Sequence, residues 1–351
     1  MTGAAANGGS AVRITGVGAE LPPRIVTSAE IEARADIGRF GFAPGWIEKV
    51  TGVRERRWAE PGVEPWNLAA TAGQRALAAA GLDPSDVDTV VYCGIMKDFF
   101  EPATANAVAE AVGAVHARVF DVTNACNGIA DGLDIAEAFI RTGRAERVLL
   151  ATGERASRAI FWDAESADEL RRAVAGMALT DGGGALVVER TDDPRRGLMA
   201  REHRSNPTQW RHGIAGRTRR ETEACEACGG IVDHRFTCDG RALFRSVFEL
   251  FLPTVHALAE RTGWTLDDVD IIFLHEAGRR FVDVAAAGLG EERKALDKLW
   301  STAARLGNTS SMTLPVQMDD ALAAGALRPG TKVLAVGGAA GVSCAAMTMV
   351  W

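Results

Sequence analysis

The chain lacks a surplus of positive charge. Lys and Arg number 39 against 46 Asp and Glu, for a formal net charge of −7. A nucleic-acid-binding surface needs a basic face, and this composition builds none. The local run Arg217-Thr218-Arg219-Arg220 is followed by Glu221 and Glu223 and reads as a solvated loop. No apolar stretch reaches the roughly 18 residues of a membrane span. The first ten residues lack the basic start and apolar run of a secretory signal, so 1–10 reads as a disordered tail. Six cysteines in 351 residues are too few for a disulfide framework. Reduced thiols and a cytoplasmic setting are the expectation. With 47% hydrophobic and 24% charged residues, the remainder is ordinary for a globular protein with a large core.

An internal duplication is present. The stretch Ala76-Leu77-Ala78 … Gly81 … Asp86-Val87-Asp88-Thr89-Val90-Val91 recurs as Ala257-Leu258-Ala259 … Gly263 … Asp268-Val269-Asp270-Ile271-Ile272. Each copy predicts an amphipathic helix, a helix-stopping glycine and a buried strand. A second echo relates Leu149-Leu150-Ala151-Thr152-Gly153 to Leu334-Ala335-Val336-Gly337-Gly338. Two related α/β halves are expected, over 11–195 and 237–351, with a variable insertion at 196–236 between them. Five residues beyond Asp88 lies Cys93, and five beyond Asp270 lies His275. Both are placed at the carboxyl ends of buried strands, where catalytic groups of α/β folds collect. Each following helix opens near a polar residue, Cys126 in the first half and Asn308 in the second. Cys126, His275 and Asn308 are therefore expected near a pseudo-twofold axis.

Cys126 follows an extended stretch, Arg118 to Ala125, and precedes apolar positions Ile129, Leu133, Ala136 and Ile140 at helical spacing. A helix over about 126–141 would put the thiol at its N-terminus, where the dipole favours thiolate. Cys93 and Cys344 sit in apolar runs and read as core. Cys225, Cys228, His234 and Cys238 have some of the spacing of a zinc site. The segment is acidic and glycine-rich, and Cys238-Asp239-Gly240 opens a helix, so a surface loop is expected there and no metal.

Together these residues carry a resemblance. Ile14-Thr15-Gly16-Val17-Gly18, Trp46-Ile47 … Thr51-Gly52-Val53-Arg54, Phe120-Asp121-Val122 … Ala125-Cys126, Leu274-His275-Glu276-Ala277, Leu306-Gly307-Asn308-Thr309 and Gly337-Gly338-Ala339-Ala340-Gly341 span almost the whole chain. The chain resembles the thiolase superfamily, in particular β-ketoacyl-ACP synthase III and the condensing enzymes of bacterial olefin and β-lactone synthesis. The resemblance implies an αβαβα thiolase-type fold, an acyltransferase active on acyl thioesters, and a homodimer. No resident cofactor is implied, with coenzyme A or acyl carrier protein as the acyl carrier. Cys126 would be acylated. His275 and Asn308 would hydrogen-bond the second substrate's carbonyl. The backbone N–H of Cys126 and one from the 337–341 turn, at Gly338 or Ala340, would form an oxyanion hole. Trp46 would stack on the adenine of coenzyme A.

The segment Lys97 to Ala105 is similar to the olefin-type enzymes, in which a glutamate at the place of Glu101 reaches the partner's site and acts as base. Non-decarboxylative coupling of two acyl chains needs such a base, because an α-proton must leave. Decarboxylative priming with malonyl thioester, which needs none, is the alternative, as is acyl transfer to an alcohol or amine. Four positions depart from the usual pattern: Val50 stands for an arginine, Asn127 for an apolar pocket residue, Glu276 for a glutamine, and Gly278 for a polar residue. Asn127 is expected to make the acyl pocket more polar, and Glu276 to add a carboxylate near His275.

Overall fold

In the computed structural model the described residues are 11–218 and 232–351. The first half runs through β1 (Ala11–Glu20), β2 (Arg24–Thr27), α1 (Ser28–Ala35), α2 (Trp46–Thr51), β3 (Glu55–Trp58), α3 (Pro65–Ala80), β4 (Thr89–Tyr92), α4 (Thr104–Val112), β5 (Arg118–Asp121), α5 (Gly128–Arg141), β6 (Arg147–Arg155), α6 (Ala167–Met177) and β7 (Asp181–Thr191). The second continues with β8 (Gly197–Ser205), β9 (Gly213–Thr218), β10 (Val232–Cys238), α7 (Gly240–Thr262), β11 (Ile271–Leu274), α8 (Arg279–Gly288), α9 (Glu292–Lys298), α10 (Ala303–Leu306), α11 (Thr313–Ala323), β12 (Lys332–Ala339) and β13 (Ser343–Val350).

The duplication is visible in the strand orders. The first sheet is β1-β7-β6-β4-β5 and the second β8-β13-β12-β11. In each, a parallel pair (β4 with β6, β11 with β12) is extended on one side by two antiparallel neighbours, and the first sheet adds β5 parallel to β4. The repeated aspartates explain themselves locally. Asp88 donates its N–H to Arg147 O and its carboxylate accepts from Arg147 N, while Asp270 makes the same pair of bonds with Lys332. Each aspartate thus locks the start of one central strand to its parallel neighbour. The glycines ending α3 and α7, Gly81 and Gly263, both hold φ 69°, the left-handed stop expected at a helix C-terminus.

Five layers result. A central apolar cluster joins α5 and α11 to both sheets through Leu133, Ile140, Met318, Leu186, Phe273 and Met347. The α3 and α4 helices cover the outer face of the first sheet, and α7 and α8 that of the second. A satellite cluster under α1, α2 and α6 carries Trp46. The α7 helix does have the length and mean hydropathy, 1.3, of a helix able to cross a membrane. Its Val247, Phe251, Val255 and Leu258 are buried against the second sheet.

The expected boundary at 196–236 is corrected. Residues 197–205 are β8, an edge strand paired antiparallel with β13, so the second half begins at Gly197. Two of its charged or titratable side chains have partners on α5. Arg201 pairs with Asp134 and Glu137, and His203 Nε2 lies 2.9 Å from Asp134 Oδ2. Beyond β8, β9 and β10 pair as a two-stranded ribbon. Cys225 and Cys228 lie outside the described residues, and Cys238 is buried at the end of β10.

Candidate active site

Two close approaches place Cys126. A Cβ on Gly128 would stand 2.2 Å from Cys93 O, and one on Gly132 would stand 2.7 Å from Cys93 Sγ. Only glycine lets α5 lie this close to the end of β4. The helix begins at Gly128 with Asn127 as its N-cap, so Cys126 precedes it by two residues. Ala125 before it holds φ 47°. The helix thus starts beyond the thiol, and desolvation pushes the partly exposed Cys126 thiol up to about 12. Its Sγ lies 4.0 Å from Ser310 Oγ, and nearby Glu154 opposes ionisation further.

His275 follows β11 and is 4% exposed. Its N–H donates to Val336 O at 2.9 Å, the counterpart of Cys93 N–H to Ala151 O at 2.7 Å, so the predicted equivalence of Cys93 and His275 is what the backbone has. Burial lowers its imidazole to about 4, which keeps it neutral near pH 7. The ring is held by Thr313 Oγ1, 2.8 Å from Nδ1. Asn308 lies between α10 and α11. Its backbone bridges to the first half through Ala178 O and Thr180 N. Its Oδ1 accepts from Ser310 N at 2.9 Å, which orients the amide and leaves its NH2 as the donor.

All three side chains line one cavity of about 1560 Å³, larger than the ~300–1,000 Å³ of most ligand pockets. Trp46, Gly338 and Ala340 line it too. Trp46 stacks on Phe42 with ring centroids 4.1 Å apart. One flank is apolar, with Leu243, Phe244, Val247, Phe248 and Phe281, and the opening carries exposed Arg171, Arg172, Arg241 and Arg245. The solvent-exposed Val50 lines the same cavity. Trp210, Ile214, Ala215 and Phe236, from the stretch expected to be an insertion, also form wall.

Two placements differ from expectation. Asn127 is 2% exposed and outside the cavity lining; its Nδ2 donates to Ser343 Oγ at 2.8 Å, tying α5 to β13. Glu276 adds no carboxylate to the chemistry of His275. It accepts from Thr302 N at 2.8 Å, Ala303 N at 3.0 Å and Ser301 Oγ, and so anchors the loop leading to α10. Glu101 is exposed and absent from the lining of its own chain's cavity. Sequence reasoning missed Glu154, Ser310, Ser311 and Thr313. Glu154 had a signal, a carboxylate closing the apolar run Val148 to Gly153. The serines and threonine had none, since their partners are remote in sequence.

A thiol, a neutral imidazole and an oriented amide converging on one long apolar cavity suit acyl-thioester chemistry with a carbanion intermediate. The comparisons define the class. Residues 120–207 match the 3-oxoacyl-[acyl-carrier-protein] synthase III domain, and residues 259–351 match its C-terminal domain. The β-ketoacyl-[acyl-carrier-protein] synthase III of Rhizobium meliloti is 31% identical over 331 residues, covering 93% of this chain and 95% of the relative. Synthase III 3 of Streptomyces coelicolor is 31% identical over 341 residues, 96% of each. Among solved structures, FabH of Pseudomonas aeruginosa PAO1 superposes with TM-score 0.82 at 28% identity, covering 97% of this chain and 98% of that one. Cerulenin-bound OleA of Xanthomonas campestris superposes with TM-score 0.86 at 23% identity and 98% coverage of both, a likeness of fold. The chain belongs to the 3-oxoacyl-ACP synthase III family of the thiolase superfamily, and it is a condensing enzyme of acyltransferase type.

Proposed function

We propose that this enzyme couples two acyl thioesters head to head without decarboxylation, through an acyl group held on Cys126. The carrying observation is the placement of Glu101. It projects at the tip of the loop between β4 and α4, beside Phe99 and Phe100, which are 38% and 79% exposed. An exposed carboxylate flanked by exposed aromatics, and outside its own cavity, suits delivery into the site of a second copy of the chain. The functional unit is then a homodimer.

In the first step Cys126 Sγ attacks the thioester carbonyl. The carrier thiol leaves and takes up the proton lost from Cys126, and the backbone N–H groups of Cys126 and of the Gly338–Ala340 turn stabilise the oxyanion. In the second, Glu101 removes the α-proton of the next acyl thioester. His275 Nε2–H and the Asn308 NH2 bind its enolate oxygen, the first requiring that the Thr313 hydroxyl turn its proton from Ser310 O, 2.9 Å away, to Nδ1. The α-carbon attacks the acyl-Cys126 carbonyl, and the thiolate released recovers a proton, giving a β-ketoacyl thioester that hydrolyses to the β-keto acid. A neutral histidine suits this role, because a charged one would protonate the carbanion. Trp46 and the arginines at the opening support a carrier bearing phosphates, coenzyme A or the pantetheine arm of acyl carrier protein.

The test supplies one acyl-CoA and no malonyl donor. A doubled β-keto product, abolished in Cys126→Ala and reduced about 100-fold or more in Glu101→Ala, supports the reading. Product formed only after malonyl thioester is added, and indifferent to Glu101→Ala, would replace it with decarboxylative priming.

A further inference from the structure

Glu154 takes no part in the steps above, yet it is 1% exposed, lines the cavity and is the last residue but one of β6. Its carboxylate accepts from Ile95 N at 2.8 Å, from Met96 N at 3.1 Å and from Ser311 Oγ. Ser311 Oγ in turn lies 2.5 Å from Thr152 Oγ1. One buried group thus joins two pieces of chain. Ile95 and Met96 are the root of the loop whose tip is Glu101. Ser311 belongs to the turn that carries Asn308 and Ser310.

The rest of that loop is pinned as well. Tyr92 Oη donates to Met96 O, Lys97 Nζ lies 3.5 Å from Asp121 Oδ2, and Asp98 Oδ2 accepts from Trp66 N at 3.1 Å. At its far end the Asp121 carboxylate caps α4 through Thr104 N and Ala105 N, at 3.0 and 2.9 Å. Between these anchors only 99–102 project. A base serving a carbanion must be held within a few tenths of an ångström, and misplacement by about 1 Å can cost on the order of 10²-fold in rate.

We infer that Glu154 is a positioning residue that locks the root of the Glu101 loop to the Asn308 turn, and so sets where Glu101 stands for the condensation step. The inference rests on the reading of Glu101 given above, and its test separates the two. The titratable groups facing Glu154 are Asp181 of β7, Tyr92 of β4 and Cys126. Burial, with Asp181 adding to it, raises the Glu154 carboxyl to about 7. A protonated Glu154 carries one oxygen that opposes an N–H donor, so the lock loosens as pH falls through that value.

Glu154→Gln keeps the shape and one acceptor oxygen. Acylation of Cys126 from an acyl-CoA, read by intact mass, is expected to fall less than about 3-fold, while condensation falls about 10- to 100-fold. Amide hydrogen exchange over 93–103 should quicken. Glu101→Gln combined with Glu154→Gln should be no slower than Glu101→Gln alone, because the two changes act on one step. The wild type should show a rise in condensation centred near pH 7 that Glu154→Gln lacks. Ser311→Ala removes one donor and should give a milder form of the same pattern, a second route if Glu154→Gln folds poorly. Equal losses in acylation and condensation with unchanged exchange, or additive losses in the double variant, would overturn the inference. A fully active Glu101→Gln would instead remove the head-to-head reading, while exchange over 93–103 would still decide whether Glu154 anchors the loop.

Discussion

Ala125 and Ser310 hold the same left-handed backbone conformation, φ 47° and 52°, each three residues ahead of one of the two central helices. Counted from these two residues, Cys126 corresponds to Ser311 and Thr123 to Asn308. Pairing Cys126 with Asn308, as the polar residues ahead of each helix invite, is off by three positions. The thiol and the Ser311 hydroxyl are the true equivalents. One half uses the position to hold an acyl group in the proposed mechanism, and the other to brace Glu154.

Left-handed backbone at a residue bearing a Cβ is strained. Ala125→Gly is expected to leave stability unchanged or raise it by up to about 1 kcal/mol, whereas Ala125→Val should cost about 1–3 kcal/mol. Denaturant unfolding of the three proteins checks this. Greater stability of the valine variant would show that the conformation carries no strain.

Burial raises the Cys126 thiol to about 12, so the resting enzyme holds little thiolate near neutrality. Alkylation of Cys126 by iodoacetamide should quicken about tenfold per pH unit from 7 to 9 without levelling, since only thiolate reacts. Cys126→Ala supplies the background. A plateau beginning below pH 8 would mean that the end of α5 outweighs desolvation after all.

His275 falls from its ordinary 6.5 to about 4 through burial. Between those values the unfolded chain binds the proton and the folded one does not, so this residue's contribution is complete above pH 6.5 and is lost as pH falls toward 4. The amount is on the order of 3 kcal/mol. Unfolding free energies at pH 7 and 4.5 should therefore differ more in the wild type than in His275→Gln. Equal differences would mean that the imidazole stays accessible to protons.

Glu276→Ala should cost about 2–4 kcal/mol, because Thr302 N and Ala303 N lose their acceptor in a buried loop. Activity should fall as well, since that loop leads into α10 and the Asn308 turn. Calorimetric melting temperatures compared with the wild type measure the first effect. An unchanged melting temperature would return Glu276 to the active site as a candidate group.

The sequence by itself determined the duplicated α/β plan, the halves' strand ends at Cys93 and His275, and that Cys126, His275 and Asn308 come together. Those features rest on short-range order: apolar periodicity, helix-stopping glycines such as Gly81 and Gly263, and aspartates that bond a neighbouring strand wherever they recur. Only the tertiary structure decided what depends on which side chains meet across the chain. It made β8 a strand by setting Arg201 and His203 against the acids of α5. It turned Asn127 to Ser343 and Glu276 to the 301–303 backbone, and it left Glu101 on the surface. It also packed around the Cys126 sulfur groups that disfavour its ionisation. A helix dipole is a local property that the sequence displays, whereas desolvation depends on everything packed around the sulfur.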